Sequence, residues 1–244
     1  MEDRKKRNSY RLNRFLARAG AASRRKSARL IMEGKVSVNG RVVESPGVRV
    51  TEEDRVELNG KPVELQPLTT AVLNKPLGYE TTMVRGRLPA VVELMDGLPP
   101  GTVPVGRLDV NTGGLLLLSN EGRLVNRLTH PSWEVEREYI VSSRRNLTEK
   151  QLKSLAKGAD IGSGDFSRPR KVKRTAPDMF SLTLHTGRNR EVRRLCKACG
   201  IPLKELERVR YGPVVMRDLK RGSWRVLDEK ELFELRKTVS LNSN

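Results

Sequence analysis

A single carboxylate, Asp109, stands in a polar, turn-prone segment that runs from Arg107 to Gly114. Four consecutive leucines, Leu115 to Leu118, follow this segment and predict a buried strand. Reactive groups are often held on such a loop, between rigid elements. A carboxylate in this position can act as a nucleophile, but it can equally close an Asx turn, which is the commoner use of aspartate in such a setting. The residues alone leave both interpretations open.

The other motifs that resemble metal-binding or nucleotide-binding sites lack the residues that such sites require. Cys196 and Cys199 form a C-x-x-C pair without a second ligand pair, and both fall on an apolar helix stripe, so we interpret them as buried hydrophobic residues. The segment from Asp109 begins like a calcium loop but has Asn120 where a glutamate is required. There is no phosphate-binding P-loop and no carboxylate cluster for a two-metal nuclease. We therefore expect neither a metal nor a cofactor.

The composition indicates a polyanionic partner. The 244 residues include 48 Lys and Arg against 29 Asp and Glu, a formal net charge of +19, which favours binding to nucleic acid or to an anionic membrane. No apolar run is long enough to cross a bilayer, and the first residues lack the apolar segment of a signal peptide. We therefore expect a cytoplasmic protein.

The N-terminal part predicts two short helices and two hairpins. Residues 1–10 are charged and expected to be disordered, and a first helix follows over residues 12–19. A second helix begins at an N-cap, Ser23, and ends near Gly34. Its first turn carries cations, which oppose the helix dipole unless a phosphate binds there. These cations are Arg24, Arg25 and Lys26.

Asn39-Gly40 and Asn59-Gly60 each lie at the centre of a period-2 strand pair, which is the strongest short hairpin signal. A small α+β domain with an ordinary solvated basic face would produce the same pattern of helices, hairpins and charges. The residues alone therefore do not decide whether this part binds RNA.

After a short linker at residues 67–70, strands and helices interleave without a strict βαβ rhythm, which favours a mixed, largely antiparallel sheet with helices on its faces. Ser119-Asn120 is predicted to cap a helix that stops before Pro131. A later helix, Asn189–Cys199, has an apolar stripe, and Arg193 lies at its margin. The polar face of this helix carries Arg190, Arg194 and Lys197.

Four segments, taken together, resemble the RNA pseudouridine synthases, in the ribosomal RNA branch that carries an N-terminal S4 module. The segments are Leu73–Tyr79 with Thr81, Gly106–Gly114 with its continuation to Pro131, Arg137–Tyr139, and Gly187–Arg194 followed by Leu206–Gly212. The helices and hairpins over residues 12–65 resemble the S4 module itself. In detail the chain is most similar to the large-subunit (23S) type-B enzymes of this family.

The resemblance implies an α+β fold, with a small S4-like module at residues 11–66, a linker at 67–70 and a catalytic domain at 71–240. It places the family's aspartate nucleophile on Asp109, its active-site tyrosine on Tyr139 and the basic partner of the aspartate on Arg193. Arg137 stands where many relatives have lysine, a departure that keeps the charge. Contacts with RNA are expected of Arg24, Arg25, Lys26, Lys75, Arg107, Arg190, Arg194 and Lys197.

The implied chemistry suits these residues. Pseudouridine forms when the bond from uracil N1 to ribose C1′ breaks and C5 joins C1′, an isomerisation that requires no cofactor. A carboxylate beside Arg193 stays ionised at neutral pH, as a nucleophile must. Asp109 would either add to the sugar or abstract a ribose proton to give a glycal, and the sequence leaves this choice open. Tyr139 can stack on the base and assist proton removal at C5, and the base must first leave its helix.

We expect the partner to be ribosomal RNA, with 23S favoured, and the protein to act as a monomer. Two alternatives stay open at this point. One is the same chemistry on 16S or transfer RNA, since RNA specificity rests on shape that a single sequence does not reveal. The other is a non-catalytic RNA-binding or ribosome-assembly protein with the same fold. A pure binder, however, has no need of the Asp109, Tyr139 and Arg193 set.

Overall fold

The computed structural model describes residues 9–241, so most of the expected disordered segment, residues 1–8, lies outside the described part. Tyr10 is described, and it does not belong to a disordered tail, because it pairs with Val50 in a short antiparallel ladder. Within the described residues, no helix is both long and apolar enough to cross a membrane.

The chain divides into two compact units. The first contains the described residues up to Thr69, together with Gly97–Val103 and Ser119–Gly122. The second contains Thr70–Asp96, Pro104–Leu118 and the described residues from Arg123 onward.

The first unit consists of two helices and two small sheets. Its elements are β1 (Tyr10–Arg11), α1 (Leu12–Arg18), α2 (Arg24–Met32), β2 (Val36–Val38), β3 (Arg41–Val42), β4 (Arg49–Val50), β5 (Val56–Leu58) and β6 (Lys61–Pro62). Strands β3-β2-β5-β6 form an antiparallel sheet, and β1 pairs with β4. Leu12, Phe15 and Ile31 belong to the buried core beneath the helices. The Oγ of Ser23 accepts the N–H of Lys26 and caps α2, as predicted.

The two Asn-Gly pairs form the predicted hairpin turns. Asn39 and Gly40 have φ of 51° and 78°, and Asn59 and Gly60 have φ of 51° and 74°. Positive φ at both central residues is the requirement of a two-residue type I′ turn, and asparagine and glycine adopt it at low cost. The hairpins are therefore fixed by local sequence.

The remaining elements belong wholly or mostly to the second unit. They are β7 (Thr70–Lys75), β8 (Val103–Pro104), β9 (Gly113–Ser119), α3 (Gly122–Thr129), β10 (Arg137–Ser143), α4 (Glu149–Lys157), β11 (Ala159–Asp160), β12 (Phe166–Ser167), β13 (Lys171–Ala176), β14 (Met179–Leu184), α5 (Glu191–Ala198), β15 (Leu203–Tyr211), β16 (Val214–Val215), β17 (Trp224–Val226) and α6 (Glu229–Lys237). Short 3₁₀ turns occur at Val91–Leu94 and Pro131–Trp133.

A nine-stranded sheet organises this second unit. Its main order is β13-β14-β10-β15-β9-β7-β17, with β16 beside β15 and β8 beside β9. Strands β9 and β15 run parallel, whereas β10 is antiparallel to both of its neighbours. The prediction of a mixed, largely antiparallel sheet is therefore confirmed. The four leucines of β9 are completely buried, because both faces of this central strand are covered.

Close approach of β9 and β15 depends on Gly114. Its φ is +95°, and a Cβ at this position would lie 2.3 Å from the carbonyl oxygen of Arg208 in β15. A residue with a side chain would be strained by the backbone angle and would push the two strands apart. The glycine therefore sets the spacing at the centre of the sheet.

The predicted helix cap at Ser119-Asn120 is wrong. Helix α3 begins at Gly122, and the amide of Asn120 instead accepts the N–H of Thr69 (2.8 Å) and donates to the carbonyl of Pro67 (2.8 Å). These partners lie fifty residues earlier in the chain, so local sequence cannot reveal them.

Candidate active site

Asp109 lies on a loop that is held at both ends of its turn. The N–H of Thr112 donates to the carbonyl oxygen of Asp109 at 2.9 Å. The Oγ1 of Thr81 donates to the carbonyl of Leu108 (2.7 Å) and accepts its N–H (3.1 Å). The side chain of Asp109 remains one-third exposed (33%). The backbone is therefore fixed while the carboxylate stays accessible.

Lys75 supports this loop from inside the protein. Its side chain is fully buried, and Nζ donates to the carbonyls of Pro76 (2.9 Å), Tyr79 (2.8 Å) and Val110 (3.5 Å). Burial lowers the pKa of Lys75 to about 8, against the opposing attraction of the Asp109 carboxylate. The expectation that Lys75 contacts RNA is wrong, since the ammonium faces backbone carbonyls and not the surface.

Two arginines of the α5 region face the carboxylate. The Nε of Arg193 lies 3.8 Å from Oδ2 of Asp109, and Nη1 of Arg190 lies 4.0 Å from the same oxygen. The Nη2 of Arg193 donates to the carbonyl of Asn111 (2.5 Å) and to Oγ1 of Thr112 (3.1 Å). Burial lowers the pKa of Arg193, and the charge of Asp109 opposes this shift. The pairing of Asp109 with Arg193 that the resemblance implied is thus present in the geometry.

A cavity of about 160 Å³ brings the three residues implied by the resemblance together. Asp109, Arg193 and the half-buried Tyr139 of β10 all line it. The exposed side chains of Arg107 and Arg190 lie at the same cavity.

The cavity also contains a buried group that the sequence analysis gave no role. The ring of Tyr211, 1% exposed, has the Cζ of Arg137 at 4.9 Å and that of Arg208 at 5.0 Å from its centroid. The Nη2 of Arg137 donates to the hydroxyl oxygen of Tyr211 and to the carbonyl of Leu128. The sequence signal that could have revealed this group was the presence of arginines in core strands, because charged residues are rarely buried without a purpose.

The remaining predicted RNA-binding residues divide into two groups. Arg194 turns back on its own domain, where Nε donates to the carbonyl of Ile161 (2.6 Å) and Nη1 lies 3.4 Å from Asp165, and its RNA contact stays a prediction. Lys197 is exposed on α5. Exposed side chains also occur at the start of α2, on Arg24, Arg25 and Lys26.

The two cysteines behave as the sequence predicted. Both are free and buried on the inner side of α5, and burial raises the pKa of Cys196 to about 12. Among the residues that the structure describes, no three His, Cys, Asp or Glu side chains are grouped so that they could hold a metal.

Comparison with known proteins defines the family to which the chain belongs. Residues 11–56 match the S4 domain, and residues 69–198 match the RNA pseudouridylate synthase family. The chain therefore belongs to the RNA pseudouridylate synthase family and carries an S4 domain, which confirms the resemblance drawn from its motifs.

Individual relatives agree with this assignment. The chain is 40% identical over 240 residues to an uncharacterized RNA pseudouridine synthase of Aquifex aeolicus, covering 95% of each chain. It is 37% identical to ribosomal large subunit pseudouridine synthase B of Bacillus subtilis, covering 96% of this chain and 98% of the relative. It is 35% identical to dual-specificity RNA pseudouridine synthase RluF of Escherichia coli, covering 97% and 82% respectively. A solved crystal structure of a pseudouridylate synthase superposes with a TM-score of 0.67 at 28% identity, covering 92% and 99%.

Proposed function

We propose that this enzyme converts a uridine of ribosomal RNA, with 23S favoured, into pseudouridine, and that Asp109 is its nucleophile. The RNA class follows from relatives such as the ribosomal large subunit enzyme of Bacillus subtilis. We further propose that it needs no cofactor, because the reaction only rearranges bonds within one nucleotide. We also propose that it acts as a monomer in the cytoplasm.

The observation that carries the proposal is the cavity that Asp109, Tyr139 and Arg193 share. The carboxylate of Asp109 is flanked by two guanidinium groups, those of Arg193 at 3.8 Å and Arg190 at 4.0 Å. Arg193 supplies positive charge from 3.8 Å, which is beyond hydrogen-bond distance. Asp109 therefore keeps an oxygen free for the sugar.

The proposed reaction begins when the target uridine leaves its helix and enters the cavity, where Tyr139 stacks on the base. Asp109 then adds to C1′, or removes a ribose proton to give a glycal, as the bond from N1 to C1′ breaks. The base turns, and C5 bonds to C1′ as the bond from Asp109 to C1′ breaks or, on the glycal route, as the ribose carbon regains its proton from Asp109. The proton on C5 leaves last, with assistance from the hydroxyl of Tyr139, and N1 takes up a proton.

Exposed arginines and lysines hold the RNA in this proposal. Arg107, Arg190 and Lys197 contact the backbone near the cavity, while Arg24, Arg25 and Lys26 of α2 contact structured RNA through the S4 domain. Phosphate contacts of this kind set position and register, whereas sequence is read by other groups.

Tritium release from RNA labelled with [5-³H]uridine tests the proposal, because only bond formation at C5 frees the label. Wild type and Asp109→Asn are compared on 23S, 16S and transfer RNA transcripts, and RNA affinity is measured in parallel. We expect release by the wild type from 23S RNA and none by the variant, at similar affinity.

Other outcomes of this experiment each remove part of the proposal. Equal release by both proteins would exclude Asp109 as the nucleophile. Release from 16S or transfer RNA alone would change the substrate, an outcome that the name of the dual-specificity relative makes worth testing. Binding without release from every RNA would favour the non-catalytic alternative.

A further inference from the structure

Arg208 carries an unused hydrogen-bond donor at the cavity. It lies in β15, is 3% exposed, and lines the same cavity as Asp109. Its Nε donates to the carbonyl of Leu115 in β9 at 2.7 Å, which fixes the plane of the guanidinium. Its Nη2 is buried and has no hydrogen-bond partner among the described residues.

The charge of Arg208 is also uncompensated. Within residues 9–241, neither Arg208 nor Arg137 forms an ion pair with a carboxylate, although both guanidinium groups lie against the ring of Tyr211. Arg210, two residues further along the same strand, shows the usual arrangement, since it pairs with Glu136 at 3.2 Å and Glu138 at 3.0 Å. The difference indicates that the position of Arg208 is not governed by stability alone.

An unsatisfied buried N–H is costly, and among the described residues that carry one, Arg193 and Arg208 line the cavity. Electrostatic catalysis requires a donor of this kind, one that is oriented in advance and withheld from other partners until charge develops on the substrate. The bond to Leu115 orients Arg208, and Nη2, which is closed to solvent, has no hydrogen-bond partner that it would have to give up.

The reaction supplies a matching acceptor. When the bond from N1 to C1′ breaks, its electron pair stays with the uracil, and the negative charge spreads to the two carbonyl oxygens of the base. This occurs whether C1′ then bonds to Asp109 or C2′ loses its proton to Asp109 and a C1′–C2′ double bond forms. The charge disappears when C5 bonds to C1′ and the C5 proton leaves.

We propose that Arg208 donates from Nη2 to a carbonyl oxygen of the flipped uracil and stabilises the uracil anion as the glycosidic bond breaks. This inference rests on the proposed isomerisation at Asp109. It gives β15 a direct part in the chemistry, besides its part in the sheet.

The test varies how readily the target uracil leaves C1′ as an anion. Single-turnover rates at saturating enzyme are measured for wild type, Arg208→Gln and Arg208→Lys, on one RNA with uridine and on a second with 5-fluorouridine at the target. Fluorine makes the departing base a weaker base, so its anion needs less stabilisation. Conversion is followed as loss of the target nucleoside after complete digestion, because a C5 fluorine precludes tritium release.

With uridine we expect both variants to react about 100-fold more slowly than wild type, the usual effect of removing one such donor. With 5-fluorouridine the same variants should lose less than about tenfold. The affinity of both variants for either RNA should stay within about twofold of the wild-type value. Arg210→Lys serves as the matched control, and it should show equal rate ratios for the two bases.

A structural role for Arg208 would instead slow both substrates equally, and that result would overturn the inference. An unchanged uridine rate at saturating enzyme, or a defect that appears only below saturation, would overturn it as well. If Arg208→Gln does not fold, Arg208→Lys decides the question, because it keeps a cation but has no Nη2. Failure of the wild type to convert uridine in any RNA would refute the proposed function itself, and this inference with it.

Discussion

Arg193 forms an ion pair with Asp109 but no hydrogen bond to its carboxylate, since their nearest charged atoms, Nε and Oδ2, are 3.8 Å apart. The guanidinium is held instead by the carbonyl of Asn111 and the hydroxyl of Thr112, in the same loop as Asp109. The positive charge thus has a fixed position relative to the carboxylate. The arrangement leaves both carboxylate oxygens of Asp109 available.

Arg193→Lys should lower the single-turnover rate by about 100-fold while RNA affinity changes by less than about twofold. An ammonium has no second arm with which to hold Asn111 while it faces Asp109. Rapid-quench kinetics at saturating enzyme would measure the rate. Arg194→Lys, on the same helix but turned towards Ile161, is the control and should lower stability without lowering the rate. A full rate in Arg193→Lys would show that charge alone suffices.

Gly114→Ala should destabilise the second unit by about 3 kcal/mol, since it combines a left-handed backbone angle with a contact of 2.3 Å to the carbonyl of Arg208. Gly122→Ala is the matched control, because no atom lies within 4 Å of its added Cβ and the residue begins a helix. It should be neutral or stabilising by up to about 1 kcal/mol. Denaturant unfolding of both variants measures the difference, and similar stabilities would contradict the argument.

Lys75 should make stability depend on alkaline pH. Its pKa is about 8 in the folded protein, against an ordinary 10.5. Between these two values the unfolded chain binds more protons at Lys75, so the free energy of unfolding rises with pH across this interval. Below pH 8 both states are protonated and this contribution is constant. The unfolding free energy of wild type minus that of Lys75→Met should therefore increase from pH 8 to 10.5. A difference that does not change with pH would contradict the lowered pKa of Lys75.

The basic start of α2 should contribute directly to RNA affinity. Replacing Arg24, Arg25 and Lys26 together with glutamine should reduce the slope of log K against log [salt] by about 2 to 3, if each contacts one phosphate. The single-turnover rate at saturating enzyme should not change. Fluorescence anisotropy over a salt series measures the slope. Arg41→Gln with Lys61→Gln, in the hairpins of the same unit, is the control, and an equal loss there would indicate a general charge effect.

Features fixed by neighbouring residues were predictable from the sequence. The Asn39-Gly40 turn and the Ser23 cap depend on a few adjacent residues, and the structure contains both. The buried strand of four leucines is equally clear, because an apolar run between turn signals has few alternatives. The grouping of Asp109 with Tyr139 and Arg193 came from the resemblance to a family, since the three lie in separate segments of the chain.

Residues with distant backbone partners were not predictable. Lys75 and Arg194 have the sequence features of surface cations, but their hydrogen-bond acceptors are carbonyls of Val110 and Ile161, more than thirty residues away. Asn120 was misassigned for the same reason. Arg208 was overlooked because nothing near it in the sequence shows that one of its donors is left without a partner.

The parallel pairing of β9 with β15 has a consequence for biosynthesis. On the ribosome, Asp109 and the leucines of β9 emerge well before Arg193 and β15. A nascent chain therefore exposes an aggregation-prone strand that lacks one neighbour, next to a carboxylate that lacks its cations. The protein that we propose modifies ribosomal RNA gains catalytic competence only after synthesis has passed Tyr211, and chaperone protection matters most during that interval.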